Sequence, residues 1–390
     1  MNEIDFLKQR EVVDFIFENR AVEVTQLILN PPKKYKERIK LITDQIQARQ
    51  KGKEKLRSWV QNKELIFPPP LSIEQASSEA TSQYKTGLMN GPLLVDLTGG
   101  AGVDCLALSH FFKHTIYVEQ NPWLCQTFAH NSALLGQAIQ VKNQNAEDFI
   151  QNIPNDSSLF IDPARRDDAR SRVFKLEDCS PNVLDLLPRV IDKATHVLVK
   201  LSPLLDVSHT LNLLSNVKEV HVVSVKNECK ELLFLMERGF AGVPTIYAVN
   251  LQSSQAPFVF KVADEDQTIA AYHDHSRFLY EPNASILKSG AFKLIGSKYQ
   301  LNKLAANTHL YSSEKLEQEF PGKAFEIMVT NAKSHLEKYQ GKINVLTRNY
   351  PLNAVELKKK FKLKDGGDDY LIGFRNHMNE AKLVIAKRLL

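Results

Sequence analysis

The sequence has few cysteines and no long apolar run. Its 390 residues include four cysteines, scattered and without the close pairing of a zinc or redox motif. We therefore expect neither a disulfide framework nor a metal site. No apolar stretch approaches the roughly 20 residues that cross a bilayer, and charges interrupt the opening segment MNEIDFLKQREVVDFIFENR, where a secretory signal would be apolar. These absences argue against a membrane protein or a secreted one, and we expect a cytoplasmic protein.

The net charge of +5 is small, but the basic residues are clustered. Lys and Arg outnumber the acids in the N-terminal region, above all from Arg49 to Arg57, and a second basic run extends from Lys358 to Lys364. Clustered basic side chains can neutralise the phosphates of RNA, and they also occur as plain solvated surfaces. Charge alone leaves both alternatives open.

The hydrophobic pattern changes twice along the chain. Residues 1–85 have helical periodicity, with one amphipathic helix predicted over 41–60, and the prolines of FPPPLS end this pattern. Short runs rich in Val, Ile and Leu follow, separated by helical stretches, as in parallel strands buried on both faces. We predict an N-terminal helical region at 1–85, a doubly wound, Rossmann-like α/β domain at 86–263, and a small α/β domain at 271–390.

Individual runs are assigned to strands by their composition. In the central domain these are LLVDL, TIYVE, AIQV, SLFID, HVLVKL, VHVVSV and TIYAVNL, with PFVFKV as one more. CKELLFLMERGFAGVP is expected to be a short connection. In the C-terminal domain FEIMV, INVLTR, YLIGFR and KLVIAKRL are predicted strands, and AKSHLEKYQ and LNAVELKKKF are predicted helices.

A glycine-rich turn follows the first strand of the central domain. In LLVDLTGGAGVDCLALSHFF it contains Gly99, Gly100 and Gly102, between an apolar strand and a helix. Glycine suits such a turn because the backbone can adopt positive φ, and because a ligand can approach main-chain atoms closely. The dinucleotide motif GxGxxG would need glycine where Cys105 stands, which weakens the case for a dinucleotide ligand.

Acidic residues end the first two strands, as in a nucleoside site. Asp96 precedes the turn, and Glu119 stands about 20 residues further on, where an acid grips a ribose. After the third strand, NQNAEDFI places Asn145 and Ala146 where this fold contacts an adenine, although Asn145 is equally a turn former. Together these features favour a nucleoside ligand over an ordinary strand-to-helix turn.

The fourth strand is followed by the segment IDPARRDD. Loops after the carboxyl ends of parallel strands line the ligand crevice, so Asp162, Pro163, Ala164 and Arg165 are the candidate catalytic residues. Asp162 is suited to accept a hydrogen bond from a target amine, and Arg165 and Arg166 to pair with substrate phosphates. The alternatives are a turn-initiating Asp-Pro and a surface ion-pair cluster.

Two further strand-end features bear on the chemistry. The loop after the fourth strand contains no cysteine, which argues against chemistry at pyrimidine C5, because such a reaction needs a thiol nucleophile. Lys200 ends the fifth predicted strand. Two alternatives are open for its side chain: it lines the substrate side, or it packs in the interior at the end of the strand.

These motifs resemble a known family. The turn is similar to the DxGxGxG element of class I S-adenosylmethionine (AdoMet) methyltransferases, with Thr98 in place of the first glycine. More narrowly, the chain resembles a bacterial methyltransferase family with a C-terminal THUMP-like domain, and it is distantly similar to RNA-cap trimethylguanosine synthases. The segments that carry the resemblance are SIEQASSEATSQYK, VDLTGGAGVD, YVEQNP, NAEDFI, IDPARR, FLYEPNASILKSGAF, NTHLY and FPGKAFEI.

The resemblance implies a cofactor, a set of residues and a partner. The cofactor is AdoMet, with Gln75, Ser78 and Tyr84 closing over it. The residues implied to bind it are Gln75, Tyr84, Asp96, Thr98, Gly99, Gly100, Gly102, Glu119, Asn145 and Ala146. Asp162 and Pro163 match the first two positions of the (Asp/Asn/Ser)-Pro-Pro element of amino-group methyltransferases. This chain has Ala164 where that element has its second proline. THUMP-type domains imply delivery of RNA. This agrees with the two basic segments, and we therefore predict that Arg49 to Arg57 and Lys358 to Lys364 contact RNA.

The leading hypothesis is therefore an AdoMet-dependent methyltransferase acting on an amino nitrogen of a base in structured RNA. One alternative is a non-catalytic RNA-binding protein with a vestigial AdoMet fold. Another is an NAD-dependent oxidoreductase, which the missing third glycine and the lack of a hydride-transfer pair disfavour.

Overall fold

The computed structural model describes residues 2–165 and 175–390, with only the main chain at residue 165. The side chain of Arg165 and the whole of Arg166 thus lie outside the described residues. Two compact units divide the chain. The first comprises Met1–Leu205, His209–Lys218 and Leu233–Gly242, and the second comprises Asp206–Ser208, Glu219–Leu232 and Val243–Leu390. Within the described ranges, every helix is too short or too polar to cross a membrane.

A 3-10 helix, Lys33–Arg38, and seven short α-helices precede the first strand. The α-helices are α1 (Glu3–Leu7), α2 (Arg10–Glu18), α3 (Val24–Leu29), α4 (Ile39–Gly52), α5 (Arg57–Gln61), α6 (Pro70–Gln75) and α7 (Glu79–Lys85). The single helix predicted over 41–60 is wrong, because the chain turns between α4 and α5, where Leu56 N donates to Gly52 O at 2.8 Å. This turn lets Leu56 and Trp59 pack into one buried cluster with Ala48.

The basic segment from Arg49 to Arg57 contains one buried basic residue, Arg49, beside the exposed side chains of Lys51, Lys53 and Arg57. Arg49 is only 2% exposed. It donates to the carbonyl oxygens of Asn62, Lys63 and Leu65 at 3.0, 3.0 and 2.7 Å. Burial lowers the pKa of Arg49 to about 10. Lys51 pairs with Glu74 at 2.7 Å, and Lys55 donates to the Glu74 carbonyl at 2.7 Å. Arg49 cannot contact RNA, contrary to the prediction, because its guanidinium holds the chain that follows α5.

Strands β1 to β11 supply a large sheet and a short two-stranded one. They are β1 (Gly91–Asp96), β2 (Phe112–Glu119), β3 (Ile139–Asn143), β4 (Ser157–Ile161), β5 (Ala164–Arg165), β6 (Cys179–Ser180), β7 (Ala194–Leu201), β8 (Val217–Val225), β9 (Glu228–Glu237), β10 (Thr245–Leu251) and β11 (Phe258–Lys261). The accompanying helices are α8 (Val103–Ser109), α9 (Pro122–Leu134), α10 (Ala146–Phe149), α11 (Val183–Val190), α12 (Val207–Leu213) and α13 (Val262–Gln267).

The large sheet has nine strands in the order β11-β10-β8-β9-β7-β4-β1-β2-β3. β1 pairs in parallel with β2 and β4, β2 with β3, and β4 with β7. The chain winds outward in both directions from β1 and β4, which confirms the doubly wound α/β prediction. In sheets of this kind, ligands are expected at the carboxyl ends of the two central strands. The prediction that CKELLFLMERGFAGVP is only a connection is wrong, because its buried apolar run forms β9.

The C-terminal part contains a second sheet. Its elements are β12 (Phe278–Pro282), α14 (Ala284–Ser289), α15 (Leu294–Lys298), β13 (Asn302–Ala305), β14 (Thr308–Ser313), β15 (Gly322–Val329), β16 (Asn344–Arg348), α16 (Ala354–Phe361), β17 (Asp369–Arg375) and β18 (Ala381–Arg388). The strand order is β13-β14-β12-β15-β18-β17-β16. All four predicted strands of this region are confirmed. The predicted helix in AKSHLEKYQ is a 3-10 helix, Ala332–Tyr339.

Candidate functional site

The glycine turn between β1 and α8 rests on two aromatic rings. Gly100 and Gly102 have φ values of +53° and +78°, which favour glycine. A Cβ at Gly99 would lie 2.2 Å from the Tyr117 ring, and one at Gly102 would lie 2.2 Å from the Phe128 ring. These two rings stack with centroids 3.8 Å apart. The turn therefore needs glycine at all three positions, for conformation or for close approach.

Glu119 ends β2 and binds the turn directly. Its Oε2 accepts a hydrogen bond from Gly100 N at 2.9 Å, and its Oε1 accepts one from Asn121 N at 2.7 Å. A carboxylate offers about four lone-pair sites. Glu119 is thus fixed in place while it retains acceptor capacity for the hydroxyls of a ribose.

Asp96 ends β1 beneath the turn. It is 1% exposed, and its Oδ1 accepts a hydrogen bond from Thr98 N at 3.0 Å. Burial raises the pKa of Asp96 well above its usual value, and the nearby carboxylates of Asp104 and Asp162 add to this rise. The side chain therefore shapes the turn from the interior.

Thr98 joins the turn to the loop that follows β4. Its Oγ1 accepts a hydrogen bond from Asp162 N at 2.6 Å. The two loops are neighbours because β1 and β4 pair in parallel, with Asp96 opposite Phe160. Thr98 stands where the DxGxGxG element has its first glycine, and nothing in the sequence pattern indicated that its hydroxyl would be used in this way.

The carboxylate of Asp162 forms an ion pair with Lys200, which lies near the end of β7. The Asp162 side chain is 34% exposed and the Lys200 side chain is 11% exposed. Burial raises the pKa of Asp162, while the Lys200 ammonium opposes that rise. Asp162 is thus the more accessible end of a half-buried ion pair at the sheet edge.

Lys200 belongs to a group of charged and polar side chains that we call the buried charge cluster. Its members are Ser77, Lys85, Asp104, Asp162 and Lys200. Lys200 Nζ lies 3.2 Å from Ser77 Oγ and 3.6 Å from Asp104 Oδ2. Lys85 Nζ lies 3.2 Å from Asp104 Oδ1. Ser77 Oγ donates to Asp104 Oδ2 at 2.7 Å.

Asp104 is the central acceptor of the buried charge cluster. Desolvation alone would raise the pKa of Asp104, but the ammonium groups of Lys85 and Lys200 outweigh it and hold that pKa below its usual value. Ser77, Lys85 and Asp104 were not predicted as site residues from the sequence. The only available signal was a polar side chain on each of two helices that flank the first strand.

The three residues that the resemblance places over the cofactor, Gln75, Ser78 and Tyr84, lie on or next to α6 and α7. Gln75 is exposed at the end of α6, and Tyr84 is half-buried in α7. Ser78 caps α7, since its Oγ accepts a hydrogen bond from Thr81 N at 3.2 Å. The Ser78 hydroxyl thus has a local role in starting the helix next to the buried charge cluster.

The predicted adenine-side residues begin α10. Asn145 caps this helix by accepting from Asp148 N at 2.7 Å, and Ala146 is buried. The preceding residue, Gln144, donates its main-chain N–H to Glu119 O at 3.1 Å. The structure therefore brings the loop after β3 against the end of β2, beside Glu119.

The remaining candidate catalytic residues follow Asp162. Pro163 is half-buried and Ala164 is exposed. β5 pairs antiparallel with β6, with Ala164 opposite Ser180. Within residues 2–165 and 175–390, no three His, Cys, Asp or Glu side chains are grouped to hold a metal ion.

Known proteins resemble this chain along nearly all of its length. Family models match a ferredoxin-like domain at residues 278–321 and a THUMP domain-like region at residues 322–388. The crystal structure of a candidate methyltransferase from Porphyromonas gingivalis W83 is 30% identical with a TM-score of 0.86, covering 97% of this chain and 98% of that one. Uncharacterized S-adenosylmethionine-dependent methyltransferases from two Mycobacterium tuberculosis strains are 21% identical over 300 residues, 75% of this chain and 80% of theirs.

Proposed function

Because this chain belongs to the family of AdoMet-dependent methyltransferases with a C-terminal THUMP-like domain, we propose that it methylates an amino nitrogen of a base in structured RNA. The observation that carries this proposal is the link between two loops. Glu119 accepts a hydrogen bond from Gly100 N in the glycine turn. Thr98, in the same turn, accepts a hydrogen bond from the main-chain N–H of Asp162. A nucleoside site and a carboxylate suited to an amine thus share one edge of the sheet.

The residues present fit AdoMet. The glycine turn lies against the end of β2, where Gly100 and Glu119 are both half-buried and Glu119 retains acceptor sites beyond its bonds to Gly100 N and Asn121 N. Glu119 is assigned to the ribose hydroxyls. Asn145 and Ala146 are assigned to the adenine side, and Gln75 and Tyr84 to the cover over the ligand. Asp96 and Thr98 keep the turn in its bound shape. The chemistry that AdoMet supplies is an activated methyl group.

Asp162 is assigned to the amine. Methyl transfer needs little more from the protein than alignment of the nucleophile and removal of one proton. The Asp162 carboxylate accepts a hydrogen bond from the amine and directs the nitrogen lone pair away from itself. In the proposed transfer the carbon–sulfur bond of the sulfonium would break as the nitrogen–carbon bond forms, leaving a neutral thioether, and an Asp162 oxygen would take the proton that the positively charged nitrogen then loses. Pro163, Ala164 and Arg165 complete the proposed substrate loop.

RNA as the partner is supported by the C-terminal region. The THUMP-like match covers 322–388, which includes the basic run from Lys358 to Lys364. Lys359, Lys360 and Lys362 are exposed there, so their charges can meet phosphates. We keep the division into 1–85, 86–263 and 271–390 as part of the proposal, with the first and last parts presenting RNA to the middle one.

Transfer of labelled methyl groups tests the proposed function. The protein is incubated with tritium-labelled AdoMet and total bacterial RNA, and we expect label that ribonuclease releases and protease does not. Nucleoside analysis should then find the label on an exocyclic amino group. AdoMet binding without transfer to RNA would favour the non-catalytic alternative. Thermal stabilisation by NAD but not by AdoMet would favour the oxidoreductase, because a ligand stabilises the folded state that it binds.

Glu119→Ala should weaken AdoMet binding by about 10- to 100-fold. The substitution removes charge-assisted hydrogen bonds worth about 1.5–3 kcal/mol and frees the Gly100 N–H that Glu119 now holds. Isothermal titration calorimetry measures the change in Kd. Glu147→Ala, at an exposed position on α10, is the matched control and should leave Kd unchanged. Equal Kd values for wild type and Glu119→Ala would remove Glu119 from the site.

A further inference from the structure

We propose that Lys200 is a positioning residue that fixes the Asp162 carboxylate and keeps it ionised, ready to take the proton from the target amine. This inference rests on the proposed function and adds a role that no resemblance assigned. Lys200 acts through Asp162 and is not itself placed against the substrate.

Two residues near the ends of different strands hold Asp162. Thr98 Oγ1 accepts its main-chain N–H at 2.6 Å, and Lys200 Nζ donates to its Oδ2. The first contact sets the position of the main chain, and the second sets the side-chain rotamer. A carboxylate held in this way loses little conformational freedom when an amine binds, which favours a reactive geometry.

The buried charge cluster fixes Lys200 in turn. Lys85, which is fully buried, pairs with Asp104 at 3.2 Å, and Lys200 lies further from Asp104, at 3.6 Å. Two ammonium groups therefore face two carboxylates, and the closest carboxylate to Lys200 is that of Asp162. Buried charges persist when each is paired, so this arrangement commits Lys200 to Asp162.

Charged groups reach Asp162 from four neighbouring elements. Lys200 comes from β7, Lys85 from α7, Asp104 from α8 and Asp96 from β1. The two acids favour the protonated form of Asp162, and the lysines favour the ionised form. Without Lys200 the carboxylate would stay protonated to higher pH, and a protonated Asp162 cannot accept the proton that the amine loses.

The state of Asp162 can be measured without any substrate. In protein labelled with ¹³C at aspartate Cγ, the Asp162 signal is assigned by its absence from Asp162→Asn and is titrated by NMR. Lys200→Met should raise the titration midpoint of Asp162 by at least about one pH unit, as expected for loss of an opposite charge in contact. Lys113→Met, at an exposed position on β2, is the matched control and should not move the midpoint.

The pH profile of methyl transfer then connects that state to the reaction. With tritium-labelled AdoMet and total RNA, the acidic limb of the Lys200→Met profile should shift upward by the same amount as the NMR midpoint. Lys200→Arg keeps the charge and should restore a profile near that of wild type. If Lys200→Met does not fold, Lys200→Gln replaces it in both measurements.

The outcomes separate this inference from the proposed function. An unchanged NMR midpoint in Lys200→Met would overturn the role of Lys200, whatever the activity. A shifted midpoint with an unshifted pH profile would also overturn it, while wild-type transfer to RNA would still support the proposed function. Absence of wild-type transfer to RNA would refute the proposed function, and with it the catalytic consequence drawn for Lys200.

Discussion

Asp162→Ala should reduce methyl transfer to RNA by about 10²- to 10⁴-fold, the range that a positioned acid or base contributes. In the proposed mechanism, the substitution removes both the acceptor that orients the amine and the group that takes its proton. The Kd for AdoMet should change little, because the turn contacts Asp162 through its main-chain N–H, which alanine retains. Single-turnover transfer and calorimetry on the same preparation measure the two effects.

Asp162→Asn distinguishes the two roles of the carboxylate. Asparagine still accepts a hydrogen bond from the amine but takes no proton at neutral pH, so its rate should lie between those of wild type and Asp162→Ala. Asp148→Ala, at an exposed position on α10, should keep the full rate. An Asp162→Ala protein as active as wild type would show that the loop after β4 does not perform the chemistry.

Asp104→Leu should lower the free energy of unfolding by about 3–5 kcal/mol, the usual cost of removing one partner from a buried ion pair. Lys85 is fully buried and Lys200 nearly so, and Asp104 is the acceptor that they share. Ser77 would also lose the acceptor of its hydroxyl. Urea denaturation measures the change, with Asp148→Leu as the exposed control.

The same carboxylate should make stability depend on pH. The pKa of Asp104 is lower in the folded state than its usual value of 3.8. Its contribution is therefore complete above about pH 5 and is lost as the pH falls through the folded-state pKa. The gap in unfolding free energy between wild type and Asp104→Leu should narrow in acid. A gap that is absent at neutral pH, or that is the same at pH 3, would contradict this account.

Much of the fold could be predicted because its signals are local. Apolar runs bounded by turn residues predicted eight strands of the large sheet, and the glycine turn was predicted correctly between a strand and a helix, β1 and α8. The spacing from Asp96 to Glu119 predicted an acid at the end of the next strand, and Glu119 does end β2. Its contact with Gly100 was not predicted. Each of these signals lies within one strand-to-helix unit.

The buried charge cluster could not be predicted because its members are distant in the chain. Lys85, Asp104 and Lys200 belong to a helix before the sheet, a helix after β1 and the end of β7. Lysine and aspartate are usually exposed, so a single sequence gives no reason to bury them together. Arg49 was misjudged for the same reason, since its run of basic neighbours suggested a solvated surface.

The stacked rings of Tyr117 and Phe128 form a rigid surface against which the glycine turn packs. Both rings lie where Cβ atoms at Gly99 and Gly102 would collide with them, and close-packed interiors resist compression. In the proposed site, a bulkier nucleoside analogue would therefore gain no room on the side of the turn where the two rings lie. Variants meant to accept enlarged cofactors should be sought outside the turn.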